Sequence, residues 1–169
     1  PYREAKPTVL WGVPLRPARE WRLSDLAAHL GTEVVAIISH DRKKNRFVPY
    51  LPDHTTASIA DVPVTGSDAY IVVLSEAKRV ACEGTAGDGT VARSPGLNLF
   101  ALPLQPNTDW RLEDLADRLG DGLGHLIVYD PRRSVFRAWL PRDESFPTTP
   151  LVGGAGYLGI LSAPSAVLY

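Results

Sequence analysis

The chain has 169 residues, of which 44% are hydrophobic and 22% charged, and its formal net charge is −1. This composition is that of a globular protein with a sizeable core, and the near-zero charge argues against a nucleic-acid partner. No apolar run approaches the roughly 18–20 residues that a membrane span needs, and a single cysteine excludes an intrachain disulfide or a cysteine-based zinc site. We therefore expect no membrane insertion and no cofactor.

The first elements in chain order are a short strand and a helix. The strand VLWGVPL (9–15) is expected to end at Pro14, because proline cannot donate to a sheet ladder. The helix is predicted from apolar residues that recur at helical spacing. These residues are Leu23, Leu26, Ala27 and Leu30. Gly31 follows where a left-handed C-terminal cap belongs.

Antiparallel strands follow the helix. VVAIISHD (34–41) and RFVPYLP (46–52) are predicted to form a hairpin whose turn begins at an aspartate. AYIVVLSEA (69–77) and RVACEG (79–84) are predicted to be further strands. The composition of TAGDGTVARSPG (85–96) predicts a linker.

The same series then returns. Residues 11–52 align with 100–141 at a constant offset of 89, with 16 identities in 42 pairs, and 69–75 align with 156–162 at an offset of 87. The predicted fold class is therefore α+β with mainly antiparallel sheet. It consists of two homologous strand–helix–(about four strands) units, residues 1–86 and 87–169, in a pseudo-symmetric tandem repeat.

The second copy resembles a repeat module of large secreted or surface proteins of bacteria and archaea. Such modules open on a G-W-N-L-I-S-L-P-L-type strand and carry a late G-Y-W strand, similar to GLNLFALPL (96–104) and GYLGILS (156–162). The matching positions are Asn98, Pro103, Leu104, Gly156 and Tyr157. The first copy has Ala69 in place of the late glycine, and neither copy has tryptophan after the late tyrosine. The resemblance implies an extracellular accessory role and brings no activity or ligand.

The stretch GAGYLG (154–159) has the G-x-G-x-x-G spacing of dinucleotide-binding loops. Such a loop lies between a strand and a helix, because the pyrophosphate binds at the helix N-terminus. Here the following ILSAPSAVLY reads as strands, and the first copy has Ser67, Ala69 and Val72 at the three glycine positions. The spacing therefore predicts turn and strand glycines.

Histidine patterns indicate neither a metal site nor a catalytic triad. The four histidines have no histidine partner across the repeat and no ligand spacing; they are His29, His40, His54 and His125. The neighbours Ser39, His40 and Asp41 point to alternate faces of a strand, whereas triads assemble from distant segments. We expect no enzymatic activity.

Basic hairpin tips are the candidate ligand site. Both copies carry a basic pair at the tip. Side chains alternate between the two faces of the returning strand, so Tyr50 lies on the opposite face from Phe47. Trp139 lies on the opposite face from Phe136 in the same way. The candidate ligand-binding residues are Lys43, Lys44, Tyr50, Arg132, Arg133 and Trp139. Solvated turns, and rings packed against the helix, are the alternatives.

Trp21 and Trp110, which precede the two helices, are expected to anchor the core. The sequence favours a non-enzymatic structural or adhesive tandem-repeat module of an extracellular or surface assembly. Its expected partners are other copies of the repeat or neighbouring subunits. A carbohydrate- or polyanion-binding accessory domain of a larger secreted enzyme or complex is the alternative, and a cytoplasmic location stays open.

Overall fold

The computed structural model describes residues 8–13, 19–53, 61–66, 68–81, 90–102, 109–130, 133, 135–141, 150–151 and 154–168. The N-terminal half contains β1 (Thr8–Gly12), β2 (Trp21–Arg22), α1 (Leu23–Leu30), β3 (Val34–Asp41), β4 (Arg46–Tyr50), β5 (Pro63–Val64) and β6 (Ala69–Leu74). The C-terminal half contains β7 (Thr90–Arg93), β8 (Gly96–Ala101), α2 (Leu112–Leu119), β9 (Leu123–Asp130), β10 (Val135–Trp139), β11 (Gly156–Leu161) and β12 (Ser165–Leu168). The protein is therefore β-rich and α+β, as the sequence predicts.

Two four-stranded antiparallel sheets form the framework. The N-terminal sheet has the order β1-β6-β3-β4, and the C-terminal sheet has the order β8-β11-β9-β10. In both sheets one edge is a strand earlier in the chain than the helix, β1 or β8, and the other edge is the returning strand of the hairpin, β4 or β10. Two small ladders, β2-β5 and β7-β12, complete the sheet structure of the described residues.

Each helix covers one face of one sheet through the apolar residues predicted from its spacing. The buried residues are Leu23, Leu26, Ala27 and Leu30 in α1, and Leu112, Leu115, Ala116 and Leu119 in α2. Each helix forms a separate core with the adjacent sheet face, in which Ile37 and Val72, or Leu126 and Phe100, are fully buried. Burial of these faces is the main favourable contribution to folding.

The helix ends are formed alike in the two halves. The backbone N–H of Arg22 donates to the Asp25 carboxylate (3.0 Å), and that of Arg111 donates to Asp114 (2.7 Å). Both helices stop at a glycine with positive φ, +97° at Gly31 in α1 and the corresponding glycine of α2 at +75°. Glycine ends both helices as expected, but with ψ of −174° and −169° these residues lie outside the left-handed helical region that the sequence predicts, in a positive-φ region that is open almost only to glycine.

The opposite faces of the two sheets pack against each other. A third apolar cluster lies there, with Leu10 and Leu99 among its buried members. Four small residues make the closest approach, which we call the small-residue contact. They are Gly12, Ala69, Ala101 and Gly156. A Cβ added at Gly12 would lie 2.0 Å from the Ala101 Cβ, and one added at Gly156 would lie 2.7 Å from the Ala69 Cβ.

Within each sheet, a glycine and an alanine of this contact are direct register partners: Gly12 pairs with Ala69, and Gly156 with Ala101. Each glycine thus faces an alanine of the other sheet. The Gly12 N–H also donates to the Gly154 carbonyl across the boundary (2.9 Å). The absence of side chains at Gly12 and Gly156 is what allows the backbones to approach so closely.

Two predicted elements differ from the structure. Residues 90–93, in the predicted linker, form β7, because they pair with β12 at the end of the chain. Residues 79–81, at the start of the predicted strand RVACEG, are not in a strand, and the rest of that segment lies outside the described residues. Pro14 and Pro103 also lie outside them, beyond strands that end at Gly12 and Ala101.

Candidate functional site

The β3–β4 hairpin presents the first basic tip. Its turn is held by Asp41, whose Oδ1 accepts the backbone N–H groups of Lys43 (3.1 Å) and Lys44 (3.2 Å). Asn45 takes a left-handed conformation with φ +45°, which asparagine tolerates better than most residues. Both lysines are exposed, so the tip offers two cations to solvent.

The β9–β10 hairpin presents the second tip in similar form. The Arg133 backbone N–H donates to the Asp130 carboxylate (3.3 Å), and the Arg133 guanidinium lies 4.0 Å from the same carboxylate. Arg133 is exposed, whereas Arg132 lies outside the described residues. Asp41 and Asp130 therefore recur because both turns use them, as predicted.

The two predicted ligand-binding rings lie away from these tips. Tyr50 and Trp139 end β4 and β10, four residues from the tip end of each strand, about 13 Å at the usual rise. Trp139 is only 3% exposed and belongs to the core beneath α2, so of the two alternatives for this ring the structure has the one packed against the helix. Tyr50 is half-buried against the other core, and burial, with the nearby Asp61 carboxylate, raises the pKa of its hydroxyl.

Exposed rings next to the tips are instead phenylalanines. Phe47 is 44% exposed and Phe136 49% exposed. Each pairs in register with an aromatic residue of the neighbouring strand: Phe47 with His40 (ring centroids 5.3 Å apart) and Phe136 with Tyr129 (5.2 Å). The sequence places the phenylalanines and the candidate rings on opposite faces of the strands, and the structure exposes the phenylalanine face. The recurrence of phenylalanine beside both basic tips was the signal that could have identified them.

An ion-pair network of three side chains connects the first basic tip to the C-terminal half. Arg42 donates two hydrogen bonds to the Asp68 carboxylate (3.0 and 3.3 Å), and Arg93 of β7 approaches it to 3.7 Å. The Arg93 side chain is 2% exposed and lies over the Phe100 ring, with the guanidinium carbon 5.6 Å from the ring centroid. This buried arginine is thereby stabilised by an anion from the other half and by an aromatic face.

A cleft of about 810 Å³ lies beside α2, and its apolar lining includes Trp139, Leu140 and Leu123. Three carboxylates, those of Glu113, Asp117 and Asp121, also line it. In the N-terminal half the aligned residues are Ser24, Ala28 and Thr32. The acidic character therefore belongs to the C-terminal half alone.

The two tryptophans before the helices differ in burial. Trp110 is 7% exposed and packs in the core with α2, while the Arg118 guanidinium covers its ring at 4.0 Å. Its expected burial is confirmed. Trp21 is half-buried at the margin of the other core and contacts the His29 ring (centroids 4.9 Å apart).

Histidine and glycine motifs have structural roles where the structure describes them. His29 Nε2 hydrogen-bonds the Ala81 carbonyl (2.8 Å), and His40 Nε2 hydrogen-bonds the Asn45 side chain (3.3 Å). His125 is exposed on β9, and His54 lies outside the described residues. In the G-x-G-x-x-G stretch (154–159), residues 156–159 belong to β11, which continues to Leu161 and is followed by β12. The stretch is thus a turn and a strand, as predicted.

No family model, curated protein or solved structure matches the chain. Among the described residues, no helix is long and apolar enough to cross a membrane. Over that same part of the chain, no group of three or more His, Cys, Asp or Glu residues is arranged to hold a metal ion.

Proposed function

We propose that the chain is a tandem repeat of two homologous units, residues 1–86 and 87–169, related by an approximate two-fold axis. The shared strand order of the two sheets supports this proposal, as do the matched helix ends. A further pair of hydrogen bonds follows the alignment: the Ser75 N–H donates to the Glu33 carbonyl and the Ser162 N–H to the Gly122 carbonyl, both at 2.7 Å.

The small-residue contact supports the axis more specifically. Gly12 and Ala101 occupy the same place in the two copies, at an offset of 89, and Ala69 and Gly156 do so at an offset of 87. Both pairs touch across the sheet boundary. In a two-fold interface, only residues beside the axis meet their own equivalents. These contacts support a proposed axis that passes through the small-residue contact.

We propose that the chain is a non-enzymatic structural or adhesive module of a surface or extracellular assembly. The main support is that the recurring polar residues have structural roles. Asp41 and Asp130 hold turns, and Asp25 and Asp114 bind helix N-termini. The polar residues that the two halves share therefore stabilise the fold. The resemblance to repeat modules of secreted and surface proteins supports the location.

Labelling of intact cells tests the location and role together. An antibody against the protein should label unpermeabilised cells of the source organism, and deletion of the coding segment should weaken cell–cell or cell–surface attachment. Labelling only after permeabilisation would contradict the proposed location. Normal attachment by the deletion strain would contradict the adhesive role.

A second candidate, a polyanion- or carbohydrate-binding accessory domain, is favoured by the exposed tips. Lys43 and Lys44 lie next to the exposed Phe47 ring, a combination suited to an anionic sugar face. Each exposed charge would contribute about 0–1 kcal/mol and lose it at moderate salt.

A glycan and polyanion array distinguishes the two candidates. The Lys43→Ser/Lys44→Ser variant is compared with Lys78→Ser/Arg79→Ser, which removes the same charge from an exposed site elsewhere. A further variant changes Arg132 and Arg133 to serine. Binding that is lost only with the tip variants would establish the accessory function. Equal signals from all proteins, or none, would leave the structural module.

A further inference from the structure

We infer that the sheet-to-sheet interface also forms between two copies of this chain. In this exchanged dimer, unit 1 of each chain packs on unit 2 of the other. The inference rests on the proposed two-fold repeat. It extends that proposal by naming the partner and the contact through which copies would assemble.

The geometry of the interface is the first argument. A two-fold interface uses the same patch on both units, so it is self-complementary and indifferent to whether the units share a chain. The patch comprises the small-residue contact together with the buried Leu10 and Leu99 side chains. The Arg93–Asp68 ion pair also crosses it and would form equally well between chains. An exchanged dimer would therefore keep the contacts between the two units that the described residues make.

The connection between the units is the second argument. On the N-terminal side, Ser75 and Ala81 are tied to unit 1, through the Glu33 carbonyl and the His29 ring. On the C-terminal side, β7 begins at Thr90 and pairs with β12 of unit 2. Residues 82–89 join these two points and lie outside the described part of the chain. Eight residues span at most about 30 Å, and a short connection between two paired units is the kind that invites exchange between chains.

Complementary variants test this with the full chain. Gly12→Ala places a methyl group on the Ala101 Cβ of its own chain, and Ala101→Gly removes the methyl group that it meets. When both variants are denatured, mixed and refolded, an exchanged heterodimer contains one relieved contact and one native contact. In contrast, each exchanged homodimer contains two altered contacts, which are two clashes for Gly12→Ala and two missing methyl groups for Ala101→Gly. Different affinity tags and native mass spectrometry identify the species.

We expect the heterodimer to exceed either homodimer by about fivefold or more, since overpacking of a core shifts equilibria by at least that factor. If Gly12→Ala does not fold alone, its recovery in folded form only when Ala101→Gly is present is the expected result. Heterodimer no more abundant than the homodimers, or no recovery, would overturn the inference.

The cis double variant, Gly12→Ala/Ala101→Gly, separates this inference from the proposal beneath it. A stable monomeric double variant without exchange in the mixture would refute the pairing between chains and leave the two-fold repeat intact. A double variant no more stable than Gly12→Ala would count against both. The cell-labelling experiment remains independent of either result.

Discussion

Substitution of Gly12 by alanine should destabilise the protein, and a second substitution should restore it. The added Cβ would lie 2.0 Å from the Ala101 Cβ, about 1.5–2 Å closer than two carbon atoms in contact. Gly12 is not among the residues with positive φ, so alanine causes no backbone strain there. The whole penalty should therefore come from the clash between the sheets.

Overpacking of this kind costs about 1–3 kcal/mol. Loss of glycine flexibility in the unfolded chain offsets about 0.4–1 kcal/mol of it. The difference is about 0–2.6 kcal/mol, and the 2.0 Å approach of the two Cβ atoms favours the upper part of this range as the loss in free energy of unfolding for Gly12→Ala. Ala101→Gly alone should also destabilise, because it removes a fully buried methyl group and adds chain entropy.

In the double variant the new methyl group occupies the space of the old one. The nearest remaining atoms are the Ala101 Cα at 3.2 Å and the Ala155 carbonyl oxygen at 3.4 Å, distances that small shifts accommodate. The free energy of unfolding of the double variant should be at least about 1 kcal/mol higher than the value expected from adding the two single effects. Urea unfolding followed by tryptophan fluorescence measures all four proteins.

The other glycine of the contact provides the control. A Cβ at Gly156 would meet the Ala69 Cβ at 2.7 Å, but also the Leu10 Cγ at 2.9 Å. Ala69→Gly should therefore rescue Gly156→Ala only in part. Strict additivity for Gly12 and Ala101 would refute the reasoning, because it would mean that these side chains do not meet.

Three further predictions concern single sites. Trp110→Ala should cost about 3–5 kcal/mol, as truncation of a large buried ring does, and Trp21→Ala should cost clearly less because its ring is half-exposed; urea unfolding compares them. The Asp25 pKa is lowered by hydrogen bonds from Arg22 and Arg19, and the Glu33 pKa by Lys78, so stability present above about pH 4 should fall as the pH drops through the lowered pKa values. A Glu33→Gln variant should show a flatter loss of stability as the pH falls below 4.5, the ordinary pKa of this carboxyl, and an unchanged slope would contradict this. Asp41→Ala should cost about 1 kcal/mol by leaving two turn N–H groups without their acceptor, and equal melting temperatures would contradict that.

Local patterns in the sequence were sufficient to predict the helices, their glycine ends and the alternating faces of the strands. Each of these depends on residues close in the chain, as the buried face of α1 and the positive φ of Gly31 illustrate. The second strand of each hairpin was also placed correctly, because Asp41 and Asp130 mark the turns.

The sequence could not predict which face of a strand the helix covers. Period-two alternation places Trp139 opposite Phe136 but does not say which of them meets the helix; the structure buries Trp139 and exposes Phe136. The same limit applies to β7, since its partner β12 lies more than 70 residues away in the chain. The small-residue contact was missed for a similar reason. Gly12 looks like any glycine until the opposite sheet is positioned.

Proton–proton contacts in solution test the two-fold arrangement most directly. With the protein isotopically labelled, nuclear Overhauser effects should connect the Gly12 α-protons to the Ala101 methyl group, and the Gly156 α-protons to the Ala69 methyl group. The register contacts of Gly12 with Ala69 and of Gly156 with Ala101 are the internal reference within each sheet. Both sets of signals are the predicted result. Register contacts observed without the contacts between sheets would contradict the pairing of equivalent residues and the two-fold repeat with it.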